Sequence, residues 1–222
     1  MFYHELKKSI IITNDDTEDG RYYTTESGNI YPSVTTVLGR VSDKRGLKIW
    51  RDRVGDQAAD DAMARACSRG TLIHDLCEKY LMNEAINYSE ISPYYLETFA
   101  KFKSVFDKYV KCVYGCELGL FNDTLGTAGR TDLIANFDGI LSIVDFKTSE
   151  KAKQERYIKN YFLQATCYGM MAPHIYELFP KQIVIIIVPD KELTPQIFIK
   201  PIHQYAKETV ELFRNYKKEY NG

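Results

Sequence analysis

The sequence predicts a mixed α/β domain of about residues 113–222 preceded by a hairpin and a helical region over about 1–112. Three observations predict it. Helix-period apolar spacing dominates from about residue 47 to 110, strand character takes over at Val113, and helix and strand then alternate to the end. A chain of 222 residues with no internal repeat suits one sizeable domain.

Residues 21–31 alternate tyrosine and threonine around Ser27-Gly28-Asn29, which predicts a small hairpin. Pro32 ends it, and Ser33 is placed to cap a short helix through Leu38. Helices are expected over about Leu47–Ala66 and Arg69–Met82. Pro93 fits the first turn of another, capped by Ser92, with Phe99, Phe102, Phe106 and Val110 on one stripe. Strands are expected at Val113–Phe121, Thr127–Asn136 and Ile140–Lys147, then a helix at about Ile158–Met171. The run Ile183–Val188 suits a buried strand, Gln196–Lys200 could return beside it, and an amphipathic helix spans about His203–Tyr220.

Hydrophobic residues make up 45% of the chain and charged ones 27%, ordinary values for a globular protein. Ile183–Val188 is the longest apolar run, too short for a membrane span. Near the N-terminus lie Glu5, Asp15 and Asp16 rather than an apolar or Arg-rich leader, so the expectation is a cytoplasmic protein of a bacterium or a phage-infected cell. Five cysteines without a CxxC pair read as reduced core thiols. A net charge of −1 argues against coating nucleic acid, but not against holding it locally. Lys147, Lys151, Lys153, Arg156 and Lys159 form one basic run, either a solvated face or a phosphate track.

The chemistry concentrates at Gly126–Ser149. Asp138-Gly139 between two apolar runs is a strong hairpin signal. The second strand is apolar on both faces until Asp145 and Lys147, which share one face. Charges ending a buried strand are costly unless paired, metal-bound or functional. Asp132 can bring a second carboxylate beside them. Two carboxylates and the Phe146 carbonyl are hard oxygen ligands suited to Mg²⁺ or Mn²⁺, and a lysine can support developing negative charge. Alone, Asp-x-Lys is far more often a surface ion pair; its position at the end of an apolar strand, near Asp132, is what changes the reading.

Val144-Asp145-Phe146-Lys147-Thr148-Ser149 and Gly129-Arg130-Thr131-Asp132 resemble the catalytic motifs of the PD-(D/E)xK nuclease superfamily. Arg69-Gly70-Thr71-Leu72-Ile73-His74 is similar to the glycine–histidine helix of its RecB-like branch, and Gln164-Ala165-Thr166-Cys167-Tyr168 to the QxxxY helix. Tyr31–Leu38, the Trp50 helix and Asp145–Lys151 look like the group containing the mitochondrial genome maintenance exonuclease and its phage and bacterial relatives.

The resemblance implies a restriction-endonuclease-like mixed sheet flanked by helices and a Mg²⁺- or Mn²⁺-dependent DNA exonuclease. Its expected substrate is single-stranded or flapped DNA with a free end, in replication, repair or recombination and with possible protein partners from those processes. A structure-specific endonuclease and a degenerate DNA-end-binding module are the alternatives. By the resemblance, His74, Asp132, Asp145 and the Phe146 carbonyl hold metal, Lys147 serves the reaction, and Glu117 is either a further ligand or a solvent-facing residue. Gln164, Tyr168, Thr148, Ser149, Lys151, Lys153 and Arg69 are candidate DNA contacts. Thr35, Trp50 and Arg53 could line an arch over the strand, although Trp50 could equally be core and Tyr168 a packed ring. Gly70 is expected to let its helix approach the sheet. The cysteines do not match the iron–sulfur members of the superfamily, so no cluster is expected.

Overall fold

A computed structural model describes residues 1–220. The chain begins with a short strand β1 (Tyr3–His4), then β2 (Ile12–Thr17), β3 (Gly20–Thr25) and β4 (Ile30–Pro32). Four helices follow: α1 (Val34–Val41), α2 (Arg45–Val54), α3 (Asp56–Leu81) and α4 (Pro93–Tyr109). The second half is β5 (Val110–Asn122), β6 (Thr127–Phe137), β7 (Ile140–Ser149), α5 (Lys159–Tyr176), β8 (Gln182–Pro189), β9 (Gln196–Pro201) and α6 (His203–Tyr220).

A six-stranded mixed sheet, ordered β1-β5-β6-β7-β8-β9, carries the molecule. Strands β5, β6 and β7 form an antiparallel meander; α5 then crosses over so that β8 runs parallel to β7. The β6–β7 turn puts Asp138 and Gly139 at φ of 51° and 85°. Positive φ at both positions is what a tight hairpin turn requires. Alternation sorts β7 into two faces. Ile143 joins α1, α5 and α6 in one core, while Val144 and Phe146 join α3 and α4 in the other. The expected α4 stripe fills that second core, with Phe102 and Phe106 fully buried; each such ring contributes about 1.5–3 kcal/mol. This is the mixed, helix-flanked sheet that the sequence predicts.

Several boundaries differ from expectation. The predicted break between residues 66 and 69 is absent: α3 is continuous, and the helices separate at Gly55, whose φ of 87° suits glycine. The small β3–β4 hairpin gains a third strand, β2, whose side chains are mostly exposed and whose pairing to β3 rests on the backbone ladder. Cys67 is exposed on α3 rather than a core thiol.

Gly70 also departs from its expected role. A Cβ there meets nothing within 4 Å, so the glycine faces open space rather than a close helix–sheet contact. Gly129 is the tight position instead: a Cβ would fall 2.7 Å from the Tyr168 hydroxyl. Gly70→Ala is therefore expected to stabilise the fold by up to about 1 kcal/mol through helix propensity, whereas Gly129→Ala should cost about 1–3 kcal/mol through overpacking. Urea denaturation of both variants checks this; equal effects would contradict it.

Candidate active site

The site forms where the sheet opens. Pairing between β6 and β7 stops at Leu133 and Val144, so Phe146 beyond it has lost its β6 partner. A buried backbone group without a partner is costly. The Phe146 N–H donates instead to Asp132 Oδ2 at 2.7 Å, and its carbonyl oxygen lies 2.9 Å from His74 Nε2. His74 Nδ1 lies 3.5 Å from Asp132 Oδ1. The helix α3 thus reaches through the gap between two strands that have parted.

Glu117 completes the cluster. It sits on β5 in the position opposite Asp132, between the pairs Cys116–Leu133 and Leu118–Thr131. Its φ of 48° is left-handed, a strained conformation for glutamate that interrupts the regular ladder. One ligand atom each from His74, Glu117 and Asp132 lie within 4.8 Å of one another. Of the two readings left open for Glu117, this placement fits the ligand one.

Asp145 and Lys147 lie, by strand alternation, on the α5 face of the sheet. Lys147 Nζ donates to Asp145 Oδ1 at 2.7 Å and lies 2.7 Å from Oδ2. The Asp145 side chain is almost fully buried, and Oδ2 has no directed hydrogen bond among the described residues. The lysine ammonium also sits over the Tyr161 ring, 5.1 Å from its centroid. Asp145 pairs with Lys147 and lies outside the His74–Glu117–Asp132 group whose ligand atoms come within 4.8 Å of one another.

The electrostatics follow from crowding carboxylates in a dry place. Burial, reinforced by Asp132, pushes Glu117 up to about 7. Burial raises Asp145 to about 6 although Lys147 pulls the other way. For His74, burial disfavours the cation, but Asp132 outweighs it and the pKa rises to about 9. Burial would raise Asp132, yet His74 and Lys147 hold it below the ordinary carboxylate value. Burial likewise opposes the Lys147 charge, which Asp145 and Asp132 restore and strengthen. His74 thus stands between Asp132 and the Phe146 carbonyl, two oxygens that a cation could share.

These shifts set a pH dependence for the metal-free fold. A group whose folded pKa is raised stabilises the fold below its unfolded pKa and loses that contribution as pH climbs through the folded value. His74 therefore loses its contribution between about 6.5 and about 9. Glu117 loses its own by about 7 and Asp145 by about 6. Denaturation in EDTA should show stability falling from pH 5 to pH 9, with a smaller fall for His74→Gln. A flat profile, or an unchanged fall in that variant, would contradict the assignment.

The donor set fits a hard divalent cation: carboxylates, one imidazole and a nearby backbone carbonyl. His74, Asp132 and Glu117 would hold it.

The other expected residues fall into different places. Arg69 is committed to a largely buried ion pair with Asp190, and its guanidinium also donates to Thr148 Oγ1 and the Tyr94 hydroxyl. It braces the cleft wall rather than offering a free charge. Ser149 is buried and donates to the Lys151 carbonyl, so its hydroxyl is taken. Lys151 and Lys153 are exposed. Gln164 and Tyr168 are buried beneath the sheet, Tyr168 against Gly129, which suits packing and not direct contact with DNA. Trp50 is half-buried and Arg53 exposed on α2, a helix that contributes no buried residue, so Trp50 is not core. Thr35 is exposed on α1 and lines a different groove with Arg40 and Asn160.

Sequence reading missed Tyr161, Arg65, Tyr94 and Tyr95. They line a cleft of about 740 Å³ that also includes Thr148 and Lys153. The three tyrosines read as helix residues, and nothing in their spacing showed which face the cleft would take.

No family model matches the chain. Over 182 residues it is 28% identical to human mitochondrial genome maintenance exonuclease 1, an alignment covering 75% of this chain and 51% of the human protein. The chain thus spans about half the length of that curated relative. A crystal structure from Eubacterium rectale, provisionally described as an exonuclease, superposes with a TM-score of 0.49 at 13% identity, over 69% of this chain and 65% of that one. Weak but extended sequence similarity to an exonuclease therefore accompanies a candidate metal cluster at the opening of the sheet.

Proposed function

We propose that the protein is a divalent-metal-dependent deoxyribonuclease that hydrolyses single-stranded or flapped DNA from a free end. The observation that carries this reading is the meeting of His74, Glu117 and Asp132 beside the Asp145–Lys147 pair. The sequence similarity to a protein named as an exonuclease supports it.

A bound divalent cation would supply Lewis acidity toward a phosphoryl oxygen and a lowered pKa for water. The chain supplies the rest. Asp145 and the Tyr161 ring hold Lys147 charged and oriented at the site. From there its ammonium can orient the attacking water and stabilise the charge developing on phosphate. His74 and Asp132 fix the Phe146 backbone and so keep the strand ends apart. The strained Glu117 turns a third ligand toward that gap.

The test compares a linear single strand with a covalently closed single-stranded circle in Mn²⁺. The expected result is degradation of the linear strand with the circle intact. Nicking of the circle would replace the reading with an endonuclease, and no cutting of either would leave a DNA-end-binding module. Duplex and RNA substrates in parallel define the preference, and 5′- and 3′-labelled strands the polarity.

A further inference from the structure

Two clefts flank the candidate centre, and they differ in charge. The one of about 440 Å³ is lined by His74, Asp75, Glu78 and Glu117, with Arg21 on its rim. The one of about 740 Å³ lies between α3, the start of α4 and the end of β7, and carries Arg65, Tyr94, Tyr95, Thr148, Lys153 and Tyr161; its one carboxylate, Glu150, is paired with Lys191. A polyanion is disfavoured along the first and favoured along the second. The second also reaches the chemistry, because Tyr161 on its wall is the ring beneath Lys147.

The aromatic residues narrow the ligand further. Tyr94 is 46% exposed. Its ring packs edge-on against Tyr95 with centroids 5.2 Å apart, and its hydroxyl accepts a hydrogen bond from Arg69 at 3.3 Å. Arg69 is itself anchored by Asp190. A large ring held at both ends and open on the cleft is a preoriented flat surface. Duplex DNA hides its base faces within its own stack, whereas an unpaired strand offers each base face to a ring. Arg65 and Lys153 are exposed along the same cleft, where phosphates of such a strand would run.

We infer that this cleft is a subsite for unpaired nucleotides, with a base stacked on Tyr94 and the adjoining phosphates held by Arg65 and Lys153. The inference deepens the proposed nuclease reading, since it places the strand beside Lys147 on the basic side of the centre. Tyr94, Tyr95 and Arg65 are the residues it adds to the site.

The test measures binding of the full chain to a labelled single strand by fluorescence anisotropy in EDTA, so that no cleavage occurs. Tyr94→Ala is expected to weaken single-strand binding by about 5- to 140-fold, the loss typical of one base–aromatic stack. Tyr94→Phe, which keeps the ring, should bind within a few-fold of the unsubstituted chain. Arg65→Ala should weaken binding and lower the salt slope by about one unit. A blunt-ended duplex of two complementary strands should not register Tyr94→Ala. The inference is overturned if the unsubstituted chain does not bind the single strand, if Tyr94→Ala binds it unchanged, if Phe and Ala are equally weak, or if duplex binding falls in parallel. Intact stacking-dependent binding without cleavage in Mn²⁺ would remove the nuclease reading and leave this subsite standing; cleavage without a Tyr94 effect would do the reverse.

Discussion

Lys147→Ala is expected to lower DNA cleavage by at least about 100-fold, the scale of losing one preoriented charge at a reacting phosphate, while DNA binding changes little. The fold should tolerate the loss. Removing the ammonium leaves Asp145 buried without its partner, but that carboxyl is already raised to about 6 and would rise further. It then accepts a proton rather than remaining an unpaired buried charge. Lys147→Met, which preserves the stem over Tyr161, should be equally inactive and still bind DNA. The measurements are single-turnover cleavage in Mn²⁺ and anisotropy in EDTA. Cleavage within a few-fold of the unsubstituted protein would sink the role given to Lys147.

Asp132→Asn is the second large effect. Asparagine can still accept the Phe146 N–H through its amide oxygen, so the opening of the sheet should persist. What disappears is charge. His74 loses the partner that lifts its pKa to about 9, and the cluster loses its most acidic carboxylate. The expected outcome is a melting temperature in EDTA lowered at neutral pH by the lost His74–Asp132 pairing, no added stabilisation by Mn²⁺, and cleavage reduced by at least about 100-fold. Mass action requires a bound ion to stabilise the fold it binds, so the melting shift reads metal independently of catalysis. A full Mn²⁺ shift in this variant would exclude Asp132 from the metal shell.

The fold was largely legible because its elements announce themselves locally. Asp138-Gly139 could hardly be anything but a hairpin turn, the phenylalanines of α4 recur at helical spacing, and Ile183–Val188 reads as a covered strand. What escaped was structure held by backbone or by continuity. Strand β2, Ile12–Thr17, carries few apolar side chains and exists because β3 offers it a ladder. Helix α3 runs through Gly70 because one glycine in open space does not break a helix.

The site was legible in its residues and not in its geometry. His74, Asp132, Asp145 and Lys147 stood out by type and order. That Asp145 pairs with Lys147 while Glu117 joins His74 and Asp132 depends on where the β6–β7 ladder ends, which no spacing reports. The left-handed Glu117 was invisible for a plain reason: glutamate is not a residue that signals positive φ. Tyr168 had two readings, a contact with DNA and a packed ring, and its burial against Gly129 fits the packed one.

Cleavage of an end-labelled single strand by the unsubstituted chain in Mn²⁺, in EDTA, and by Asp132→Asn in Mn²⁺ tests the central claim most directly. A metal-built site predicts shortened products in the first reaction and intact strand in the other two. Products in EDTA, products from Asp132→Asn at the rate of the unsubstituted chain, or no products in Mn²⁺ would contradict it.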